Sequence, residues 1–180
     1  EALTKVNLEV CEGEVFGYLG PNGSGKSTTI RTLLDFIRPT GGTASIFGLD
    51  SRQDSRAIRA RVGYLPGDMV LYDRLTGRQV LEYSAALRGG VDWAYVEQLE
   101  DRLGAELSRP VKALSRGNRQ KIGLIQAFMH RPELIIMDEP TSSLTQVEVD
   151  RLFEVVRELQ RKNIAVIYIT HRLSEIAVLA

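Results

Sequence analysis

The stretch Gly20-Pro21-Asn22-Gly23-Ser24-Gly25-Lys26-Ser27-Thr28 constrains this chain more than any other, because it fits G-x-x-x-x-G-K-[ST] without gap or substitution. A loop that wraps a phosphate must aim several backbone N–H groups at one point. Glycines allow the dihedrals and the close approach this requires. In such a loop Lys26 reaches the β- and γ-phosphates as a point charge, and the Ser27 hydroxyl is offered to Mg²⁺. A helix opening near Lys26 adds the partial positive charge of its N-terminus. The flanks agree. Val15-Phe16-Gly17-Tyr18-Leu19 reads as a buried strand entering the loop, and Ile30, Leu33 and Leu34 follow at helical spacing. Strand, glycine loop and helix in that order distinguish a nucleotide site from a chance Gly/Ser turn.

Composition narrows the setting. At 180 residues, 43% of them hydrophobic and 26% charged, the chain is expected to be one globular domain with a real core. Lys+Arg and Asp+Glu balance at 23 each, so net charge does not point to nucleic acid or anionic lipid. Cys11, the only cysteine, cannot form an internal disulfide and fits a reducing compartment. It is expected to be a small buried hydrophobe on an early strand. No apolar run approaches the length of a membrane span, and the N-terminus has no signal-peptide layout, so any span is expected from another chain.

Lys5 to Val10 alternates polar and apolar residues and reads as a half-buried strand, followed by a turn at Cys11-Glu12-Gly13-Glu14. Thr43 to Gly48 reads as a short strand, Ser51 to Ala60 as a weak helix, and Arg61 to Pro66 as a core strand. Thr76-Gly77-Arg78-Gln79 has the form of a capping box, so a helix should begin there with Val80, Leu81, Ala85 and Leu87 on its apolar face. A second helix is predicted over Val91 to Leu103, in which Trp93 and Tyr95 are read as packing residues. Residues from about Thr76 to Arg109 then form a helical insert. Leu134 to Asp138 and Ala165 to Thr170 read as buried strands, with a strong amphipathic helix over Gln146 to Lys162 between them. Alternating strands and helices imply a largely parallel sheet covered on both faces. Ligands of such sheets sit at the carboxyl ends of strands, where Gly20, Asp138 and His171 can converge.

Two further stretches carry chemistry. Asp138, ending an apolar strand, is the second Mg²⁺ partner expected of a phosphate-loop fold, and Glu139 is placed to orient or deprotonate a water. Leu114-Ser115-Arg116-Gly117-Asn118-Arg119-Gln120 reads as a helix start with Ser115 as N-cap, either an ordinary cap or an anion-binding helix N-terminus.

The segments GPNGSGKST, LSRGNRQ, LIIMDEP and ITH, in that order over nearly the whole chain, resemble the nucleotide-binding domain of ABC transporters. LSRGNRQ is similar to that family's signature motif. The resemblance implies an α/β fold, a P-loop NTPase core with a mostly parallel sheet, and a helical subdomain over about 76–130. It implies ATP and Mg²⁺ as cofactors, transport-coupled ATP hydrolysis, and a second nucleotide-binding domain as partner. It also implies a transmembrane transporter subunit that holds the protein at the cytoplasmic face of the membrane, and no direct contact with nucleic acid. Gly20 to Thr28 would bind nucleotide, and Ser27 and Asp138 would hold the metal. Leu114, Ser115, Arg116, Gly117, Asn118 and Gln120 would face ATP held by the partner, with Ser115 and Gly117 at its γ-phosphate. Glu139 would be the general base and His171 the switch histidine on the γ-phosphate, while His130 is left structural.

Three departures stand out. Gly67, beside Asp68, occupies the position where the family usually has glutamine. Thr145 stands where many members have aspartate, though Thr145-Gln146-Val147-Glu148 is itself a capping box. The family's adenine-stacking aromatic would precede Glu1, so the chain is expected to be trimmed at both ends. The sequence up to about Arg131 is similar to drug- and antibiotic-exporter ATPases. From about Glu133 on, MDEPTSSLT and YITHRLSE are similar to sugar-importer ATPases. A chimera and ordinary divergence both account for that seam.

Three other functions compete with a transporter ATPase. A soluble ABC-type ATPase acting on nucleic acid or the ribosome usually carries coiled-coil inserts or basic arms, and this chain has neither sustained heptads nor net positive charge. A small-molecule kinase would not need LSRGNRQ or Glu139. An ATP-gated dimerisation module that does not hydrolyse ATP is kept open by Gly67 and Thr145.

Overall fold

The apolar runs at 134–138 and 165–170 become strands buried on both faces, whereas 15–19, expected to be buried, forms an edge strand that is only partly buried. In the computed structural model, described for residues 3, 5–21 and 23–179, six strands form: β1 (Val15–Leu19), β2 (Ser45–Ile46), β3 (Leu49–Asp50), β4 (Val62–Leu65), β5 (Leu134–Asp138) and β6 (Ala165–Thr170). Four of them make a parallel sheet in the order β1-β6-β5-β4, and β2 and β3 pair as a separate antiparallel hairpin. Along β5, Leu134 and Ile136 pack into one hydrophobic cluster while Ile135 and Met137 pack into another. The period of two thus places successive side chains on opposite faces of the sheet. All residues of β5 and β6 are buried, as strands covered on both faces require.

Seven helices cover the sheet: α1 (Lys26–Leu33), α2 (Ser55–Arg61), α3 (Gly77–Leu87), α4 (Trp93–Leu103), α5 (Arg116–Phe128), α6 (Gln146–Arg161) and α7 (Leu173–Leu179), with a 3₁₀ turn at Val111–Ala113. Ile30 and Leu34 of the first helical segment and Ile58 of α2 fill the cluster on one face. The helices α3 to α6 share the cluster on the other, from Val80 and Leu99 through Ile122 to Leu152 and Val156. Capping fixes where several of them begin. Thr76 Oγ1 accepts from Gln79 N (3.2 Å) while Gln79 Oε1 accepts from Thr76 N (2.9 Å), a capping box at α3. Thr145 and Glu148 form another at α6, with Thr145 N donating to Glu148 Oε2 at 2.9 Å. Trp93 and Tyr95 pack as expected, each under a guanidinium: Arg78 lies 4.1 Å from the Trp93 ring centroid and Arg131 lies 4.0 Å from that of Tyr95.

Several expectations need correction. Residues 5–10 form no strand: among the described residues the β1 edge pairs only with β6, so the alternating pattern finds no partner to complete a ladder. Cys11 is exposed rather than buried, because it sits in the turn where Glu14 N donates to Cys11 O (3.2 Å). Leu87 ends α3 at 72% exposure and is not on its packed face. The second insert helix starts at Trp93, not Val91, because Asp92 caps it by accepting from Ala94 N and Tyr95 N. α7, following His171, was not anticipated.

His130 is structural, as expected, and pH-sensitive. Its Nε2–H donates to Val62 O (3.2 Å), which leaves Nδ1 as a buried acceptor without a partner. Burial, and then the nearby Arg88 charge, push its pKa down to about 4. Its neutral form stabilises the fold fully above about pH 6.5, and that contribution is lost as pH falls toward 4, when the unfolded state takes up the proton first. We expect a loss of about 1–2 kcal/mol over this window, after allowance for solvent screening of the half-buried ring. The urea midpoint of the parent should therefore fall more between pH 7 and pH 5 than that of His130→Gln, so that any advantage the parent holds at pH 7 narrows at pH 5. Parallel pH profiles would exclude it.

Candidate functional site

Parallel strands put all their carboxyl ends at one edge, and the chemistry collects there. Leu19 lies opposite Thr170, and Asp138 lies opposite Ile169. The segments that leave β1, β5 and β6 — Gly20 onward, Glu139 and His171 — therefore start side by side. A cavity of about 330 Å³ opens between the first two, lined by Gly23, Gly25, Lys26, Ser27, Thr28, Asp138 and Glu139, while Gly20, Pro21, Ser24 and His171 do not line it. Asn22 lies outside the described residues.

Gly25 caps α1 with φ +89°, a left-handed conformation that disfavours a side chain. The turn is closed by Ser24 N donating to Pro21 O (3.2 Å). Lys26, 7% exposed, folds back across its own loop and donates from Nζ to Gly20 O (2.6 Å) and Pro21 O (2.9 Å). One of its three ammonium protons is left for a ligand. Ser27 Oγ donates to Asp138 Oδ2 at 2.7 Å across the floor of the cavity. This hydroxyl–carboxylate pair is a hard-oxygen donor set beside a space sized for phosphates, which suits Mg²⁺. That ion is usually held by one or two protein oxygens together with substrate phosphates, so the fit does not need a protein cage.

Glu139 is held at φ +51°, a strained conformation for a residue with a side chain, and its N–H donates to Ile169 O (3.0 Å). Its Oε1 lies 3.0 Å from His171 Nδ1. A carboxylate only accepts, so Nδ1 carries the shared proton and Nε2 remains for another partner. Gly67, exposed in the loop after β4, lies beside Asp138 but brings no side chain to it.

The second predicted stretch lies elsewhere, and none of Leu114 to Gln120 lines this cavity. Ser115 caps α5, accepting from Asn118 N at 3.1 Å, and Ser115 and Arg116 are exposed. Gly117 packs so closely on the loop after β5 that an added Cβ would sit 2.7 Å from Ser143 O. Leu114, Asn118 and Gln120 are buried. Asn118 bonds Glu106 through both ends of its amide, each at 2.7 Å, and Gln120 Nε2 donates to Pro140 O at 3.1 Å. These two side chains brace the helix from within, while Ser115 and Arg116 face outward.

Comparison with known proteins decides the family. Residues 3–142 match the ABC transporter family model. The chain belongs to the ABC transporter family. It is 34% identical to the bacitracin transport ATP-binding protein BcrA of Enterococcus faecalis, over 99% of this chain and 59% of the relative. It is 32% identical to the ABC transporter ATP-binding protein NatA of Bacillus subtilis, over 99% of this chain and 75% of that protein. The chain thus spans 54 to 60% of the length of several curated relatives. The solved structure of an ATP-binding subunit of an ABC transporter matches at TM-score 0.85 and 31% identity, over 96% of this chain and 74% of that one. The dimeric MJ0796 cassette matches at TM-score 0.88 and 23% identity, over 98% and 83%, and shows the shared fold.

Two parts of this ABC cassette were not legible as sites. The first is the buried group around Glu175, Tyr168 and Thr170, to which Thr141 is added from 34 positions upstream of Glu175. The second is a larger concavity of about 720 Å³ away from the phosphate loop, lined in part by Arg56, Arg59, Arg88 and Arg131. It holds no carboxylate beside a phosphate-binding loop, so the smaller cavity is the candidate site for hydrolysis.

Proposed function

We propose that this chain binds Mg–ATP in the cavity at Gly20 to Thr28 and hydrolyses it as the nucleotide-binding subunit of an ABC transporter. The observation that carries the reading is Glu139, which lines the phosphate-sized cavity together with Lys26 and whose carboxylate is paired with His171. Lys26 turns its remaining ammonium proton to the β- and γ-phosphates, and the backbone N–H groups of the loop donate to the other phosphate oxygens. Glu139 takes the proton of a water as that water attacks the γ-phosphorus. The bond from phosphorus to the β–γ bridging oxygen breaks, and ADP leaves. His171 holds Glu139 through Nδ1 and, when its ring carries both protons, donates from Nε2 to the γ-phosphate. Mg²⁺, held by Ser27 and Asp138, would neutralise charge on the phosphates.

Signature residues that face outward while the cavity of their own chain lacks them call for a second cassette placed head to tail. The solved MJ0796 cassette is described as dimeric. A membrane-embedded subunit completes the assembly at the cytoplasmic face. None of the helices among the described residues is long and apolar enough to cross a membrane. Phosphate release by the full-length protein, and its copurification with a membrane-embedded protein, test the reading. An inability to release phosphate from ATP would refute it.

The head-to-tail contact has its own test. Ser115→Asp keeps a good N-cap but sets a negative charge where the partner's γ-phosphate must dock. In the Glu139→Gln background, sedimentation with ATP should give dimers that Ser115→Asp dissolves while each chain still binds ATP. Dimers that persist would place the contact elsewhere.

A further inference from the structure

The most elaborately satisfied buried charge in the molecule lies behind the site. Glu175, on α7, is 6% exposed and accepts four hydrogen bonds. Its Oε1 accepts from Thr141 Oγ1 at 2.7 Å and from Arg172 Nη1 at 3.3 Å. Its Oε2 accepts from Tyr168 OH and Thr170 Oγ1, each at 3.0 Å. Burial, and then the Glu175 charge, raise the pKa of the Tyr168 phenol, so it remains a donor.

The donors divide by segment. Thr141, 1% exposed, lies two residues beyond Glu139 in the turn where Ser142 N donates to Glu139 O (3.2 Å). Thr170, fully buried, directly precedes His171. One carboxylate oxygen therefore bonds the turn that carries Glu139, together with Arg172, and the other anchors the strand end that carries His171. Apart from the Glu139 N–H to Ile169 O bond and the His171–Glu139 contact itself, this carboxylate joins the two segments. Glu139 sits at φ +51°, a conformation that persists only where its surroundings hold it.

We propose that Glu175 is a positioning residue that fixes Glu139 and His171 relative to each other and to the phosphate loop. It does so without touching nucleotide. The inference rests on Glu139 acting as the base, and Glu139→Gln alone tests that assignment. The loss of tether should lower kcat and spare ATP affinity, because none of Thr141, Thr170 and Glu175 lines the cavity. A misplacement of about 1 Å costs up to about 10²-fold in rate.

The test measures kcat and ATP affinity for the full-length protein. Thr141→Val removes one hydroxyl at constant shape and cuts only the Glu139 side. It should lower kcat about tenfold or more at unchanged ATP affinity. Thr141→Ser restores the donor and should restore the rate. Glu175→Gln keeps the size but replaces one acceptor oxygen with a donor, and should likewise lower kcat alone. Parent kcat in both Thr141→Val and Glu175→Gln overturns the proposal, and so does ATP affinity that falls in step with kcat. If those variants keep parent kcat while Glu139→Gln loses it, the base assignment stands and the positioning role fails. If Glu139→Gln keeps parent kcat, the base assignment fails, and the positioning role with it.

Discussion

Glu139→Gln is expected to slow phosphate release by about 10²- to 10⁴-fold, the usual effect of removing a general base, while ATP affinity stays near that of the parent. Glutamine keeps the volume and can still bond His171, but it cannot take a proton from water. Glu139 directly follows Asp138, which meets Ser27 at 2.7 Å, and both acids line the cavity. In the proposed reaction the attacking water would stand beside them. Persistence of ATP across two chains should also drive sedimentation toward a dimer. Equal rates for parent and variant in a phosphate-release assay would remove Glu139 from the mechanism. Equal rates that are both zero would instead favour an ATP-gated binding module, with Gly67 and Thr145 the first positions to change.

Lys26→Ala should weaken Mg–ATP binding by about 10- to 100-fold, since a hydrogen bond to a charged group contributes about 1.5–3 kcal/mol. The lower half of that range is favoured by the free state, where Nζ is already bonded to Gly20 O and Pro21 O and has one proton left for the phosphates. The same substitution removes the pin that holds the loop closed, so the ligand must order it. Calorimetry measures the affinity directly. Thermal unfolding gives a second reading: ATP at about a hundredfold excess over Kd adds about 2.7 kcal/mol to the parent, and that gain should shrink in the variant at equal ATP. Unchanged affinity would mean that the lysine serves its own loop rather than the phosphates.

Much of this cassette is written in contiguous residues. The phosphate loop is one unbroken pattern, and backbone N–H groups that converge on a point need only neighbouring residues and glycine dihedrals. The caps at Thr76, Ser115 and Thr145 are local hydrogen bonds over three residues, so their positions were readable. β5 and β6 were readable because strands buried on both faces lose their polar alternation.

Only the tertiary structure decided what those pieces meet. Periodicity reports that a face is buried and says nothing of its neighbour, which is why residues 5–10 alternate yet find no partner strand, and why Leu87 ends up outside the core. The strand order β1-β6-β5-β4 brings Ser27 to Asp138 across 111 positions of sequence and His171 to Glu139 across 32. The inward turn of Asn118 and Gln120 depends on Glu106, which no motif names, and on Pro140, whose motif does not say that its carbonyl meets this helix. Glu175 is the clearest case. A buried carboxylate is tolerable only where donors surround it. Those donors come from the turn after β5, from β6 and from Arg172 just before α7, so the full set exists only in the fold.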